Sequence, residues 1–185
     1  ASLAKGKPSV VVFPGDSHEA AQVVQAARTA GVTFVPRGFG TNLSGGTVLP
    51  AGGLVVCLSR LNRILGMYPE SRYAVVQPGV TNLELQNALA PLGFFYAPDP
   101  ASQKVATIGG NTGENSGGPR CLKYGVTTNH VLGMEVILSD GERVRIGGAA
   151  LDPAGYDLRG VMVGSEGTLG IVTELTVRIL PLAES

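Results

Sequence analysis

The feature that most constrains this chain is a glycine-rich segment, PRGFGTNLSGG, at residues 36–46. Four of its eleven residues are glycine, three carry a hydroxyl or amide side chain, one is arginine, and none is a carboxylate. Glycine adopts positive φ angles readily and lets the backbone approach a ligand closely. Successive backbone N–H groups in such turns form anion-binding concavities. The segment therefore predicts a loop that holds a phosphate or pyrophosphate group.

The segment does not match either of the two common nucleotide-binding loops. Gly38 and Gly40 begin a G-x-G pattern, but the third glycine is missing, and Gly45, Gly46 and Pro50 interrupt any following helix. The dinucleotide fingerprint requires a strand, a turn and a helix in sequence. The Gly-Lys-Ser/Thr motif of nucleoside triphosphate sites is also absent from the sequence. A flexible loop without a ligand is the remaining alternative for this segment taken alone.

Composition restricts the class of partner. The chain carries 14 basic and 14 acidic residues with no block of like charge, so a nucleic-acid partner is not expected. It has no run of about 18 apolar residues, so we expect no transmembrane segment. Cys57 and Cys121 lie far apart, without metal-ligand spacing, and Cys57 falls in an apolar run. Two such cysteines are weak evidence for a reducing compartment. We expect a cytoplasmic location, with peripheral association with a membrane left open.

The first sixty residues predict a small α/β lobe, about 1–60. Apolar runs at 10–13, 32–36 and 54–58 indicate three strands. Asp16 followed by Glu19 is typical of a capping box, and Ala20, Val23, Val24, Ala27 and Ala30 then recur at helical spacing before Gly31. A helix is therefore expected between the first and second strands.

The rest of the chain, about 61–185, predicts a larger, strand-rich lobe. Residues 63–68 and 73–77 flank a Pro-Glu-Ser turn, and 131–138 and 143–146 flank Asp140-Gly141, so each pair indicates an antiparallel hairpin. Thr81 and Glu84 form a second capping box for a helix to about Leu89. Mostly apolar residues recur at every second position over 170–180, which predicts a last strand. Residues 97–130 show little periodicity and many glycines, which predicts a long binding loop.

Four further segments share the chemical character of the glycine loop: APDPAS at 97–102, IGGNTGENSGG at 108–118, KYGVT at 123–127 and GSEGTLGIVTE at 164–174. Glycine loops, a rigid proline turn and a terminal Gly-Ile-Val strand can together surround an elongated amphipathic ligand. A dinucleotide flavin is such a ligand. In the order of these motifs, the chain resembles the FAD-binding (PCMH-type) domain of the vanillyl-alcohol-oxidase superfamily. Within that superfamily it most resembles the branch that contains the glycolate oxidase flavin subunit, D-lactate dehydrogenases and D-2-hydroxyglutarate dehydrogenases.

The resemblance implies an α+β fold: a single two-lobed FAD-binding domain over 1–185, with a small α/β lobe followed by a larger, mostly antiparallel sheet lobe with helices. It also implies the cofactor contacts. The expected pyrophosphate loop comprises Arg37, Gly38, Phe39, Gly40, Thr41, Asn42, Leu43 and Ser44. The expected contacts along the adenine end, the flavin side and the closing strand are Pro78, Gly79, Val80, Pro98, Asp99, Ser102, Gly109, Gly110, Asn111, Asn115, Gly118, Glu166, Gly167, Gly170, Ile171 and Val172.

One departure from the resembled family concerns flavin attachment. Relatives with covalent flavin often carry a histidine just after the second loop glycine, where this chain has Thr41, so non-covalent FAD is expected. Neither His18 nor His130 lies in that loop, and His130, before a strand, is interpreted as structural. No metal site is evident, and no catalytic residue is assigned. In the resembled branch, a cap domain with acid–base groups follows the FAD domain, and we expect it to be absent here.

The resulting hypothesis is the FAD-binding domain of an enzyme that oxidises a 2-hydroxy acid of the glycolate or D-lactate type, by hydride transfer to FAD. The expected partners are FAD, the 2-hydroxy acid bound through the missing cap domain, and an electron-acceptor subunit. This chain alone is expected to bind FAD weakly and not to turn over. Two alternatives stay open: the FAD domain of a UDP-sugar enolpyruvyl reductase or of a molybdenum hydroxylase FAD subunit, and a non-catalytic subunit that has lost flavin.

Overall fold

The computed structural model describes residues 5–149 and 155–182 of the chain. Its first sheet is parallel and contains β1 (Val10–Val12), β2 (Phe34–Arg37) and β3 (Leu54–Cys57) in the order β1-β3-β2. Helix α1 (Ser17–Thr29) connects β1 to β2. Each strand lies within two residues of its predicted bounds, and the glycine loop leaves the sheet directly after β2.

Helix α1 begins with a capping arrangement that is shifted by one residue from the predicted box. Asp16 accepts a hydrogen bond from the N–H of Glu19 at 2.8 Å, as expected of an N-cap. The Glu19 carboxylate, however, accepts from the N–H of Gly15 at 2.6 Å instead of returning to Asp16. The helix ends at Thr29 with Ala30 as its C-cap, and Gly31 follows with a φ of +63°, so the predicted glycine stop is confirmed.

The second sheet is antiparallel and has five strands in the order β4-β5-β9-β7-β8. Its strands are β4 (Ile64–Tyr68), β5 (Tyr73–Val76), β7 (Val131–Ile137), β8 (Arg143–Gly147) and β9 (Ile171–Arg178). A separate short pair joins β6 (Phe94–Phe95) to β10 (Leu180–Pro181). Both predicted hairpins are present, and β9 alternates buried and half-buried residues along its whole length.

Two apolar cores lie on this framework. The larger packs helix α2 (Asn82–Leu89) and neighbouring residues against the antiparallel sheet, with Leu85, Leu89 and Leu175 fully buried. The smaller packs Ala20 and Val24 of α1 between Val56 of the parallel sheet and Ile137 and Ile171 of the antiparallel sheet. Helix α1 therefore joins the two sheets. The α+β fold with a small parallel sheet and a larger antiparallel sheet is confirmed.

The prediction of a long irregular loop over 97–130 is wrong, because the segment contains two helices. They are α3 (Ile108–Glu114) and α4 (Cys121–Tyr124), and a fifth short helix, α5 (Leu158–Met162), lies later in the chain. Gly109, Gly110 and Asn111, which the sequence placed in that loop, lie in the first turn of α3. Its fixed ends and the burial of Ile108, Asn111 and Thr112 offset the low helix propensity of its glycines.

Candidate functional site

The glycine loop presents a run of unpaired backbone donors. Within the described part of the chain, none of the seven N–H groups at positions 38–44 donates to a protein acceptor. Gly40 has a φ of +73°, and the Arg37 guanidinium folds back over it, so that a Cβ at position 40 would lie 2.7 Å from a guanidinium nitrogen. The loop therefore combines N–H donors with a positive charge, which suits an anion.

The far end of the loop is held by side chains. In the orientation that satisfies both ends of its amide, Asn42 accepts from the N–H groups of Gly45 and Gly46 at 3.2 and 3.0 Å. The hydroxyl of Ser44 donates to Glu166 Oε2 at 2.8 Å. Asn42 and Ser44 were predicted as cofactor contacts, and in this structure both shape the loop.

Helix α3 begins against the base of the glycine loop. Thr107 caps it by accepting from the N–H of Gly110 at 3.1 Å, while the N–H of Gly109 donates to the carbonyl of Pro78 at 2.9 Å. A Cβ at Gly38 would lie 2.6 Å from Thr107 Oγ1, so glycine permits the close approach of loop and helix. Because the first N–H groups of α3 are already bonded, the free donors of the site belong to the loop.

The other end of α3 fixes the segment that contains Glu166. The N–H groups of Gly164 and Glu166 donate to the carbonyls of Thr112 and Gly113 at 2.8 and 2.9 Å. Glu166 adopts a left-handed conformation with a φ of +52°, which is uncommon outside glycine. Helix α3 therefore links the glycine loop at its first residue to the Glu166 segment at its last turn.

Two carboxylates meet beside the loop. The Ser44 hydroxyl lies 2.8 Å from Glu166 Oε2 and 3.2 Å from both carboxylate oxygens of Glu114. Burial raises the pKa of Glu114, the negative charge of Glu166 raises it further, and the Ser44 hydroxyl acts in the opposite direction. A bound anion here would add to the same unfavourable charge.

The opposite wall is the proline segment that follows β6. The carbonyl of Pro98 accepts from Asn82 Nδ2 at 2.7 Å, and Asn82 Oδ1 accepts from Asn111 Nδ2. The carboxylate of Asp99 lies 3.6 Å from Arg120 Nε, whose guanidinium also lies over the ring of Phe95 at 5.4 Å from its centroid. Side chains at positions 82 and 120 therefore tie the proline segment to α2 and to the end of the second glycine-rich segment.

These elements enclose a cleft of about 600 Å³, a size typical of small-molecule and cofactor sites. Most of the residues that the sequence predicted as cofactor contacts line it. They are Arg37, Gly38, Phe39, Gly40, Thr41, Asn42, Leu43, Pro78, Ser102, Gly109, Gly110, Asn111, Gly118, Glu166, Gly167, Gly170 and Val172.

The remaining predicted contacts lie outside the lining of the cleft. Those not yet placed in the structure are Gly79, Val80, Asn115 and Ile171; Ser44, Pro98 and Asp99 are described above. Gly79 packs against the carbonyls of Leu58 and Leu61, and Val80 and Ile171 are buried in the two cores. Asn115 Oδ1 accepts from the N–H of Thr128 at 3.0 Å. All of these cofactor roles stay predictions.

Several lining residues were not predicted from the sequence. They are Pro36, Gly46, Thr47, Leu58, Pro100, Ala101, Ala106, Thr107, Gly113, Glu114, Ser116, Gly117, Pro119, Met162 and Ser165. Many stand directly beside predicted positions in the same segments. Glu114 could have been found from the second glycine-rich segment, because it lies within residues 108–118. Leu58 and Met162 carry no local signal, since they belong to segments without a ligand-binding pattern.

His130 does not line the cleft. It is buried, and its Nε2 lies 2.8 Å from the carbonyl of Tyr124. Burial lowers the pKa of His130, the hydrogen bond to Tyr124 opposes this, and the positive charge of Arg178 lowers it again. Its Nδ1 is buried without a hydrogen-bond partner among the described residues. The interpretation of His130 as a structural residue agrees with this environment.

Residues 5–149 and 155–182 contain neither a metal-binding cluster nor a membrane-spanning helix. No three His, Cys, Asp or Glu side chains are grouped there in a way that could hold a metal ion. No helix in those ranges has the length and apolar character that crossing a membrane requires.

Comparison with known proteins gives a consistent result. A family model described as "FAD binding domain" matches residues 8–147. The chain is 49% identical over 179 residues to the glycolate oxidase subunit GlcD of Bacillus subtilis, covering 96% of this chain and 38% of that protein. It is 40% identical over 182 residues to a D-lactate dehydrogenase of Anaerostipes hadrus, covering 98% of this chain and 38% of that protein.

A D-2-hydroxyglutarate dehydrogenase of Stutzerimonas stutzeri is 39% identical over 173 residues, covering 93% of this chain and 37% of that protein. Among solved structures, an alkyldihydroxyacetonephosphate synthase superimposes with a TM-score of 0.83 at 26% identity, covering 95% of this chain and 32% of the other. The chain thus spans less than two fifths of the length of these relatives.

Proposed function

The chain belongs to the FAD binding domain family, and on that premise we propose that it is the FAD-binding part of an oxidoreductase that oxidises a small 2-hydroxy acid. The glycolate oxidase subunits and the D-lactate and D-2-hydroxyglutarate dehydrogenases among its relatives support this substrate class. The reductase and molybdenum hydroxylase alternatives have no such support among the relatives named above.

The observation that carries the proposal is the run of N–H groups at positions 38–44, which have no acceptor among the described residues. The diphosphate of FAD supplies such acceptors, and charge-assisted hydrogen bonds of this kind contribute about 1.5–3 kcal/mol each. The cleft beside the loop, about 600 Å³, is lined by glycine-rich segments that let flat rings approach the backbone. The residues present therefore fit the cofactor.

FAD, when bound, supplies the electron-accepting chemistry, taking a hydride equivalent from the α-carbon of the hydroxy acid. The chain's own part is to bind and orient it. In this proposal the loop donors hold the diphosphate, Asn42 keeps the loop in shape, and α3 holds the glycine loop and the Glu166 segment in fixed relation.

We assign no acid–base group to this chain. In the relatives, more than three fifths of the length has no counterpart here. We therefore propose that recognition of the hydroxy acid, the acid–base groups and any contact with an electron-acceptor subunit require such further parts. The expected cytoplasmic location, with or without peripheral membrane association, likewise stays a prediction.

The attachment of FAD is proposed to be non-covalent, because position 41 carries threonine where covalent relatives often carry histidine. The test is acid precipitation of the FAD-loaded chain. The yellow colour should stay in the supernatant. Colour that remains with the washed pellet contradicts non-covalent binding.

Ligand titration tests the function. The flavin fluorescence of added FAD should be quenched on binding, and the quenching should reach saturation. Riboflavin, which lacks the diphosphate, should bind at least about tenfold more weakly. With glycolate or D-lactate and an artificial acceptor, the FAD-loaded chain should not exceed the rate of free FAD. Equal affinity for riboflavin contradicts the role of the loop, and no binding of FAD at all supports a subunit that has lost flavin. Reduction of the bound flavin by a reduced nicotinamide dinucleotide, and not by a hydroxy acid, favours the reductase alternative.

A further inference from the structure

Helix α2 holds the proline segment through two side chains one turn apart. The side-chain amide of Gln86 makes two hydrogen bonds to the backbone of Tyr96. Gln86 Nε2 donates to the Tyr96 carbonyl at 2.6 Å, and Gln86 Oε1 accepts from the Tyr96 N–H at 3.2 Å. Asn82 donates to the carbonyl of Pro98 at 2.7 Å. One face of α2 is therefore bound to residues 96–98, which lead directly into the cleft-lining residues 100–102.

Asn82 differs from Gln86 in having a second partner in the site. Its Oδ1 accepts a hydrogen bond from Asn111 Nδ2 on α3, and both asparagines are buried, with exposures of 1% and 2%. A carbonyl can only accept a hydrogen bond, so the Pro98 carbonyl requires Asn82 to turn its amino group toward it. Asn82 must then present Oδ1 to Asn111, which in turn must present its own amino group.

The orientation of the Asn111 amide is thus set by a backbone carbonyl two hydrogen bonds away. Asn111 lines the cleft, and its Oδ1 receives no hydrogen bond from any residue in the described part of the chain. Asn111 Oδ1 is not among the buried polar atoms that lack a partner, so it is accessible from the cleft, and a ligand there can donate to it.

We propose that Asn82 is a positioning residue that keeps Asn111 Oδ1 available to the cleft, so that the site selects a ligand with an N–H donor on a heteroaromatic ring edge. This inference rests on the proposed FAD-binding function. FAD carries two such groups, the imide N3–H of the isoalloxazine ring and the amino group of adenine. Without Asn82, the Asn111 amide can rotate and present either of its ends.

The test compares FAD with two analogues, each of which lacks one donor. The analogues are 3-methyl-FAD and flavin purine dinucleotide, whose purine carries a hydrogen in place of the amino group. The variants are Asn82→Leu, which removes both hydrogen bonds of Asn82, and Gln86→Leu as the matched control. Gln86→Leu loses two hydrogen bonds to the same proline segment but has no link to Asn111. Dissociation constants are measured by flavin fluorescence.

The wild-type chain should prefer FAD over one of the two analogues by about tenfold, the loss expected for one hydrogen bond. Gln86→Leu should keep that preference, and Asn82→Leu should reduce it to less than about threefold. The analogue that is discriminated identifies the FAD ring at Asn111. Asn82→Asp, which can still accept from Asn111, should also keep the preference. Asn82→Ala, which removes the same two hydrogen bonds with a smaller side chain, should lose it and replaces Asn82→Leu if that variant does not fold.

Two results overturn the inference while leaving FAD binding intact. One is a wild-type chain that binds FAD and both analogues equally. The other is an unchanged preference in Asn82→Leu. A wild-type chain that binds neither FAD nor the analogues overturns the proposed function as well, so the two failures are distinguishable.

Discussion

Thr107 Oγ1 lies directly against Gly38, at the point where the glycine loop meets the start of α3: a β-carbon at position 38 would come within 2.6 Å of that oxygen. Thr107 cannot move away freely, because the same oxygen caps α3 by accepting from the N–H of Gly110. The conformation of the loop therefore depends on the absence of a side chain at position 38.

Gly38→Ala should displace the loop from Thr107 and weaken FAD binding by at least about tenfold, since small misplacements of binding groups are costly. The overpacking itself should lower the free energy of unfolding by about 1–3 kcal/mol. Gly148→Ala is the matched control, because nothing lies within 4 Å of a Cβ at that position. Equal FAD affinity in the two variants would contradict the structural role of Gly38.

Glu114→Gln should strengthen FAD binding several-fold at pH 8 and low ionic strength. The substitution removes one of two carboxylates that lie beside the loop proposed to hold the diphosphate. The gain should shrink in high salt, which screens charges. It should also shrink toward pH 5, because burial and Glu166 raise the pKa of Glu114 and the wild-type side chain itself becomes neutral as the pH falls.

Glu142→Gln, a change of the same type at an exposed residue of the β7–β8 hairpin, is the control for net charge. Weaker FAD binding by Glu114→Gln, with Glu142→Gln unchanged, would show that the Glu114 carboxylate accepts a hydrogen bond from the ligand instead of repelling it.

His130 should make the protein less stable as the pH falls below about 7. Burial lowers the pKa of His130 in the folded chain, whereas the unfolded chain titrates near the ordinary value of about 6.5. The unfolded state therefore binds more protons in this range, and the free energy of unfolding decreases as the pH drops through 6.5 toward the folded pKa. Above pH 7.5 the residue should contribute no pH dependence.

His130→Gln should flatten the pH dependence of urea unfolding between pH 5 and 7.5, since glutamine can still donate to the Tyr124 carbonyl but does not titrate. His18→Gln, at an exposed residue of α1, should leave the wild-type slope unchanged. If His18→Gln flattens the profile and His130→Gln does not, the buried neutral histidine is not the cause.

The fold was predictable where the determining signals are local. The alternation over 171–179, the capping pair Thr81 and Glu84, and the Asp140-Gly141 turn each specify an element within a few residues. Helix α3 was not predictable in this way, because Gly109 and Gly110 oppose a helix. Hydrogen bonds to Pro78 and from Gly164 and Glu166, all distant in sequence, satisfy its ends.

The candidate site divides in the same manner. The glycine loop could be predicted because the glycine, hydroxyl and amide residues that characterise it lie close together in one short stretch of sequence. The glycine-rich segments, the proline turn and the Glu166 segment were placed together by their resemblance to a known family. Asn82 carries no signal of its own, since its importance depends on a carbonyl 16 residues away and an amide 29 residues away.

The most direct test of the central claim is an NMR titration of the isotopically labelled chain with FAD. The amide resonances of residues 38–44 should shift with saturation, because these N–H groups gain phosphate acceptors, while those of Gly31 and Gly148 should not move. Shifts confined to other parts of the chain, or no shifts at FAD concentrations up to about 1 mM, would contradict the assignment of this loop to the diphosphate of FAD.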